Sequence, residues 1–121
     1  EQGLPVAQTN LGNMYVSGEG VPEDDAEAVR WYRLAAEQGH ARAQYLLGLM
    51  YGTGRGVPEN VEQAYVWFSV AAVGLSGEER DDALRERDLA SKDFTPEQLS
   101  RAQALATTCI DSDFTDCGEP D

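Results

Sequence analysis

The stretch AQTNLGNMYVSGEGVPE, residues 7–23, is followed 36 residues later by AQYLLGLMYGTGRGVPE, residues 43–59. Over the 30 positions from Ala7 to Ala36, 15 residues recur at that offset, whereas chance composition would give about two. The chain therefore contains an internal repeat. In arrays with such a repeat, each unit packs only on its neighbours.

Each copy carries two sets of apolar and small residues with spacings of three and four residues, which is helical periodicity. In the first copy they are Ala7, Leu11, Met14 and Tyr15, then Ala28, Trp31, Ala35 and Ala36, and the second copy repeats both sets. We therefore expect two helices per repeat. The intervening SGEGVPEDD and TGRGVPENV contain glycines that can adopt positive φ, and Pro22 and Pro58 suit the first turn of the next helix.

Gly12 and Gly48 lie inside the helical patterns, where glycine costs about 1 kcal/mol relative to alanine. A close approach of two helices would compensate that cost. We expect the tryptophans and tyrosines to fill the space between neighbouring repeats. A ligand-stacking role for Trp31 or Trp67 is the alternative, and buried packing is favoured at this helical spacing.

A third copy does not follow the second. Instead residues 77–93 form one expected helix and residues 94–110 another, the latter with Thr95 as N-cap, Pro96 at the first helical position and Gln98 at the third. Repeat arrays need a terminal unit with a polar outer face. The charged segment 78–88 suits that role, so we predict a C-terminal capping helix pair.

The chain carries 22 acidic and 9 basic residues, a formal charge of −13. Phosphate backbones and anionic lipid surfaces would repel such a protein, so nucleic-acid partners and membrane insertion are not expected. No apolar run approaches the roughly 20 residues that a spanning helix needs. The opening EQGLPVA parallels EQGHARA at residues 37–43, which indicates a start within a repeat and a piece of a longer protein.

The residues needed for catalysis or metal binding are not evident in the sequence. His40 is the single histidine, and no cysteine or carboxylate pair lies beside it at a metal-ligand spacing. Asp111, Asp113 and Thr115 alternate as in a calcium loop, but Asp116 occupies the glycine position of that loop. The sequence therefore predicts no enzyme, no metal site and no cofactor.

Cys109 and Cys117 lie at the end of the last expected helix and in the acidic tail. They could pair, which would hold the tail against the helix and would require an oxidising compartment. The alternative is two reduced cysteines. We favour the disulfide, and with it a periplasmic or secreted location over a cytoplasmic one.

The pattern A-x3-LG-x2-Y-x2-G-x-GVP, followed by A-x2-W-x3-AA at a 36-residue period, resembles the Sel-1-like repeat family. The segment RDLASKDFTPEQLSRAQALA, residues 87–106, also resembles the ending of bacterial members. The resemblance implies an all-α fold, a right-handed α-solenoid of helix-turn-helix repeats related to tetratricopeptide repeats. It also implies an adaptor that holds other proteins.

The resemblance further implies which side chains line the concave face, because Leu11, Gly12 and Tyr15 align with a trio in the tetratricopeptide helix that forms this wall. The implied positions are Val6, Thr9, Asn13, Val16 and Ser17 in the first repeat, and Arg42, Tyr45, Leu49, Gly52 and Thr53 in the second. Asparagine at position 13 holds peptide backbone in peptide-clamping relatives, but their lysines are replaced here by threonine and tyrosine. A carboxylate clamp is therefore not expected. Ordinary solvent-facing residues are the alternative.

We thus expect a single domain over residues 1–121. Its expected parts are the tail of a preceding repeat (1–6), two repeats (7–42 and 43–75), capping helices (76–110) and an acidic tail (111–121). The expected function is binding of a protein or peptide in the concave face, and a basic or mixed partner fits best. The alternative is an end unit that caps a longer array, with self-association through the N-terminal face.

Overall fold

The computed structural model describes residues 3–118, and these residues form six α-helices and no strand. The helices are α1 (Gly3–Ser17), α2 (Asp25–Ala36), α3 (Ala41–Thr53), α4 (Val61–Gly74), α5 (Gly77–Ala90) and α6 (Pro96–Asp111). Glu1 and Gln2, which belong to the expected tail of a preceding repeat, lie outside the described residues. So do the last three residues of the acidic tail, 119–121.

The two repeats fold into helical hairpins with the same local chemistry. The side chain of Asp24 accepts a hydrogen bond from the Glu27 N–H at 3.1 Å, and Asn60 accepts one from the Gln63 N–H at 3.0 Å. Both side chains thus satisfy an N–H that the helix leaves without a partner. In the turns, all four glycines expected to adopt positive φ do so, with φ between 73° and 80°.

Pro22 and Pro58 do not lie in the first turn of α2 and α4, as the sequence analysis expected. Each lies two residues before the N-cap, because the side chains of Asp24 and Asn60 set the start of the helix. The signal for this boundary is an Asp or Asn followed three residues later by Glu or Gln, which is the spacing of a capping box.

The glycines inside α1 and α3 allow each hairpin to close tightly. A Cβ atom at position 12 would lie 2.6 Å from the ring of Tyr32, and one at position 48 would lie 2.8 Å from the ring of Phe68. Real Cβ atoms do not approach an atom so closely. The aromatic ring of the second helix therefore packs directly on the backbone of the first, which confirms the expected close approach.

Helix α4 is the centre of the core. It packs against α3, α5 and α6, and nine of its residues are buried. A helix buried around most of its circumference needs apolar residues on nearly every side, and the segment YVWFSVAAV, residues 65–73, supplies them. The hairpins thus share one interior and form an α-solenoid.

The aromatic residues of the two repeats differ in burial. Trp67 and Tyr51 are each 1% exposed, as expected for core residues. Their counterparts Trp31 and Tyr15 are only partly buried. The hydroxyl of Tyr51 accepts a hydrogen bond from Arg33 of the preceding hairpin, whereas no described helix packs outside α1 to cover the first repeat in the same way.

Helices α5 and α6 both pack on α4, beyond the second repeat. Thr95 and Gln98 form the expected capping box at the start of α6. Helix α5 ends at Ala90, earlier than the expected residue 93, because residues 91–93 form a turn.

The segment after α6 folds back onto the core instead of extending into solvent. Cys109 and Cys117 form a disulfide bond, and the carbonyl of Cys117 accepts a hydrogen bond of 2.9 Å from the buried side chain of Gln63. The ring of Phe114 packs against the core and lies close to the turn between α2 and α3, where a Cβ added at Gly39 would be 3.2 Å from it. Residues 112–118 therefore connect α6 to α4 and to that turn.

The glycine contact yields a test with a control in the same helix. We expect Gly48→Ala to destabilise the fold by about 1–3 kcal/mol, because the added methyl group would overlap the Phe68 ring. A Cβ at Gly52 would lie 3.6 Å from the Cβ of Ala64, an ordinary contact, so Gly52→Ala should stabilise the helix by up to about 1 kcal/mol. Urea unfolding measures both. A Gly48→Ala variant at least as stable as the unmodified chain would contradict the packing.

The disulfide yields a second test. Its cysteines are eight residues apart in sequence, and closing so short a loop stabilises a protein by about 2–3 kcal/mol in the chain-entropy model. We expect a loss of that size in the double variant Cys109→Ser, Cys117→Ser, and a similar loss when the unmodified chain is reduced. Mass spectrometry should show the oxidised chain lighter by two hydrogen atoms, and an unchanged mass on reduction would exclude the bond.

Candidate functional site

One side of α3 is recessed along its whole length. Three cavities of about 250, 280 and 380 Å³ adjoin it, and neighbouring cavities share lining residues. Leu46 lines the first two of these cavities, whereas Leu49 and Thr53 line the first and the third. We call this surface, with its three cavities, the α3 groove.

The largest of the three groove cavities lies between α3, α4 and α5. Its lining is mainly apolar and includes Leu49, Phe68 and Leu89, together with Phe94 from the turn before α6. The ring of Phe94 also packs on Tyr65 of α4, with ring centroids 5.9 Å apart. Leu89 is 55% exposed, so this cavity presents apolar surface that the fold itself does not cover.

The second cavity lies between the N-terminal half of α3 and α5. Arg42 and Glu79 form an ion pair of 2.9 Å across it, with both side chains well exposed. An exposed pair of this kind contributes little to stability, about 0–1 kcal/mol. Tyr45 lines the same cavity and packs on Phe68, with ring centroids 5.6 Å apart.

Helix α5 presents carboxylates to the groove. Glu79, Asp82 and Glu86 follow one another at spacings of three and four residues, which places them on one helix face. All three line the cavities that adjoin α3. Burial raises the pKa of the Tyr45 hydroxyl, and the negative charges of Glu86 and Asp82 raise it further.

These carboxylates differ in how they are neutralised. Glu79 pairs with Arg42, and Asp82 pairs with Arg85 at 2.7 Å. Glu86, which is half-buried, makes no ion pair with any residue in the range 3–118. The groove therefore contains a carboxylate that forms no direct ion pair in this part of the chain, although Arg85 is near enough to interact with it electrostatically.

The predicted positions of the second repeat all lie in the α3 groove. Arg42 and Tyr45 line one cavity, and Leu49, Gly52 and Thr53 line the largest. Because their spacing follows the helix period, a single face of α3 brings them together.

The predicted positions of the first repeat are placed differently. Val16 lines the smallest cavity, while Val6, Asn13 and Ser17 are exposed but line none of the three. The side-chain oxygen of Asn13 accepts a 2.6 Å hydrogen bond from the hydroxyl of Tyr32. The NH₂ group of Asn13 is the part of the side chain that could donate to a bound peptide.

Thr9 is not a surface position, contrary to the expectation. It is 2% exposed, and its hydroxyl donates to the carbonyl of Pro5 at 2.8 Å. A threonine can satisfy its hydroxyl within its own helix in this way, so it is buried where a lysine would not be. The matching residue of the second repeat, Tyr45, is too large for the same position and stays partly exposed.

Several groove residues were not found from the sequence. They are Leu46 and Phe68 of the second repeat, and Asp82, Glu86, Leu89 and Phe94 beyond it. The charge of segment 78–88 predicts an outer cap, and it does not show that Glu79, Asp82 and Glu86 line the groove. Which way the helix face with these acids points depends on how α5 packs on α4, and periodicity does not report this.

The residues considered for other chemistry lie apart from the groove centre. His40 is the N-cap of α3 and makes no side-chain capping bond; its pKa is lowered by burial and by nearby Arg42. Residues 3–118 contain no group of three or more His, Cys, Asp or Glu side chains arranged to hold a metal ion. None of the six helices is long and apolar enough to cross a membrane.

Several solved structures resemble this one. The crystal structure of c5321, a protective antigen present in uropathogenic Escherichia coli strains displaying an SLR fold, matches with a TM-score of 0.82 and 34% identity over 93% of this chain. The match covers 24% of c5321, so this chain spans about a quarter of its length. A Sel1 repeat protein from Oxalobacter formigenes matches with a TM-score of 0.57 and 31% identity, over 85% of this chain and 90% of that one.

Comparison of the sequence with known proteins points to the same family as the solved structures. No curated protein matches the chain significantly. The family model described as Sel1 repeat matches residues 5–40 and 41–72, which together make up more than half of the chain. With its paired helices, repeated caps and Gly-to-ring contacts, the chain belongs to the Sel1 repeat family.

Proposed function

We propose that this chain is a non-enzymatic binding module that holds a protein or peptide segment in the α3 groove. Sel1 repeats typically mediate protein–protein interactions and form a non-catalytic scaffold. The observation that carries the proposal is the groove itself, in which apolar surface lies between polar side chains along a rigid helix.

The composition of the groove supports this role. Binding energy at interfaces comes mainly from a few aromatic or large apolar residues near the centre, surrounded by a polar rim. Tyr45 and Leu49 are half-buried on α3 and supply the centre, while Arg42 and the carboxylates of α5 supply the rim. The rings of Tyr45 and Phe68 support each other, so the centre is ordered before a partner arrives.

We further propose that the protein works in an oxidising compartment, the periplasm or the cell exterior. The disulfide between Cys109 and Cys117 supports this, because such bonds persist outside the reducing cytosol.

The test uses a peptide selected on the intact protein from a phage-displayed random library. We expect Leu49→Ala and Tyr45→Ala each to weaken binding of that peptide about 5- to 30-fold, the usual cost of truncating a central anchor. Isothermal titration calorimetry measures the affinity. Ile110→Ala is the control, because Ile110 is an apolar residue exposed on α6 that lines none of the three cavities.

The result separates two explanations for weaker binding. Circular dichroism of each variant shows whether the fold is retained at the assay temperature. Equal affinity for the unmodified chain and both groove variants would exclude the α3 groove as the binding surface.

A second candidate function is that of a stacking unit in a longer repeat array. The first hairpin exposes Leu4, Met14 and Leu34. Trp31 and Tyr15 in this hairpin are also less buried than their counterparts one repeat later. In a solenoid, those positions are covered by a neighbouring unit.

Sedimentation equilibrium tests this second function. If the first hairpin is a stacking face, the chain should self-associate more strongly as salt rises, because salt screens the repulsion between copies that each carry a charge of −13. Leu34→Asp should abolish the association, and Ile110→Asp should not. A chain that stays monomeric at all salt concentrations would argue against stacking.

A further inference from the structure

We infer that the partner segment of the α3 groove is basic, with a lysine or arginine next to a large apolar side chain. The apolar side chain enters the largest cavity, and the cationic group pairs with Glu86. This inference rests on the proposed function and specifies its partner.

The apolar half of the inference follows from the lining of the largest cavity. Leu49, Phe68, Leu89 and Phe94 surround about 380 Å³, room enough for one aromatic or long aliphatic side chain. Leu89 and Val61 at its edge are both exposed. Covering this surface with an apolar side chain of a partner gains the free energy of removing it from water.

The cationic half follows from Glu86. Its carboxylate lines the same cavity as the apolar residues and has no ion-pair partner among residues 3–118. The two other carboxylates of α5 that line the groove each form an ion pair, since Glu79 pairs with Arg42 and Asp82 with Arg85. Because Glu86 and the apolar surface share one cavity, the cation and the apolar group must be neighbours in the partner.

The surrounding charge favours the same partner. Asp93 also lines the cavity, against a single cation there, Lys92. The whole chain carries −13, which attracts basic segments over long range and repels acidic ones. An acidic partner would be expected instead at the recess that Arg80 and Arg87 line between α4 and α5, which shares only Leu75 with the three groove cavities.

The experiment compares three fluorescein-labelled peptides that share a central Phe-Leu pair. Their flanking residues are all lysine, all glutamine or all glutamate, and fluorescence anisotropy measures binding to the intact chain at low and high salt. We expect the lysine peptide to bind about tenfold more tightly than the glutamine peptide at low salt, and this advantage to shrink as salt rises.

Two variants that each remove one negative charge from α5 test whether the preference for the lysine peptide depends on Glu86. Glu86→Gln should weaken binding of the lysine peptide about three- to tenfold and leave the glutamine peptide nearly unchanged. Glu78→Gln removes the same charge from an exposed position of the same helix that lines none of the cavities. It should change the affinity for the lysine peptide less than about twofold.

The outcomes distinguish this inference from the proposed function. Equal losses in Glu86→Gln and Glu78→Gln would show that only the net charge matters and would overturn the role of Glu86. Tighter binding of the glutamine or glutamate peptide, still weakened by Leu49→Ala, would overturn the basic partner and leave the groove intact. If no peptide binds, or if none responds to Leu49→Ala, both proposals fail.

Discussion

The packing of an aromatic ring directly on a helix backbone is the contact on which the rest of the structure depends. Gly48 admits the ring of Phe68, and Gly12 admits the ring of Tyr32 in the same way. Because no side chain separates the two helices at this point, each hairpin is narrow and rigid. The Phe68 ring thus contributes both to the interior of the hairpin and to the groove, because it also packs on Tyr45 and lines the largest cavity of the groove.

The groove exists because α5 packs on α4 without closing over α3. Its acids therefore face the side of α3 that carries Tyr45 and Leu49, and they line cavities instead of an outer surface. In this position α5 both covers part of α4 and forms one wall of the α3 groove. A polar helix suits this position, because one of its faces meets solvent and another lines the α3 groove.

The C-terminal segment adds a constraint that helix packing alone would not provide. The disulfide holds Cys117 beside α6, and from there its carbonyl reaches Gln63 of α4 while Phe114 reaches the turn at Gly39. Three parts of the chain that are distant in sequence are thus held together on one side of the solenoid. A hydrogen bond from Arg33 to the hydroxyl of Tyr51 likewise connects the two hairpins.

The sequence by itself determined the local features: the repeat, the helix pairs, the positive-φ turns, the capping box at Thr95 and the need for close contact at Gly12 and Gly48. These follow from spacing and from the conformational range of single residues, which act over a few positions. The family resemblance, and not periodicity, was the basis for choosing the face of α3 that carries Arg42, Tyr45 and Leu49. Only the tertiary structure decided that Thr9 is buried, that α5 turns its acids toward α3, and that Glu86 shares a cavity with Phe68. Burial and charge pairing depend on which segments meet in space, and residues far apart in sequence do not reveal this through their periodicity.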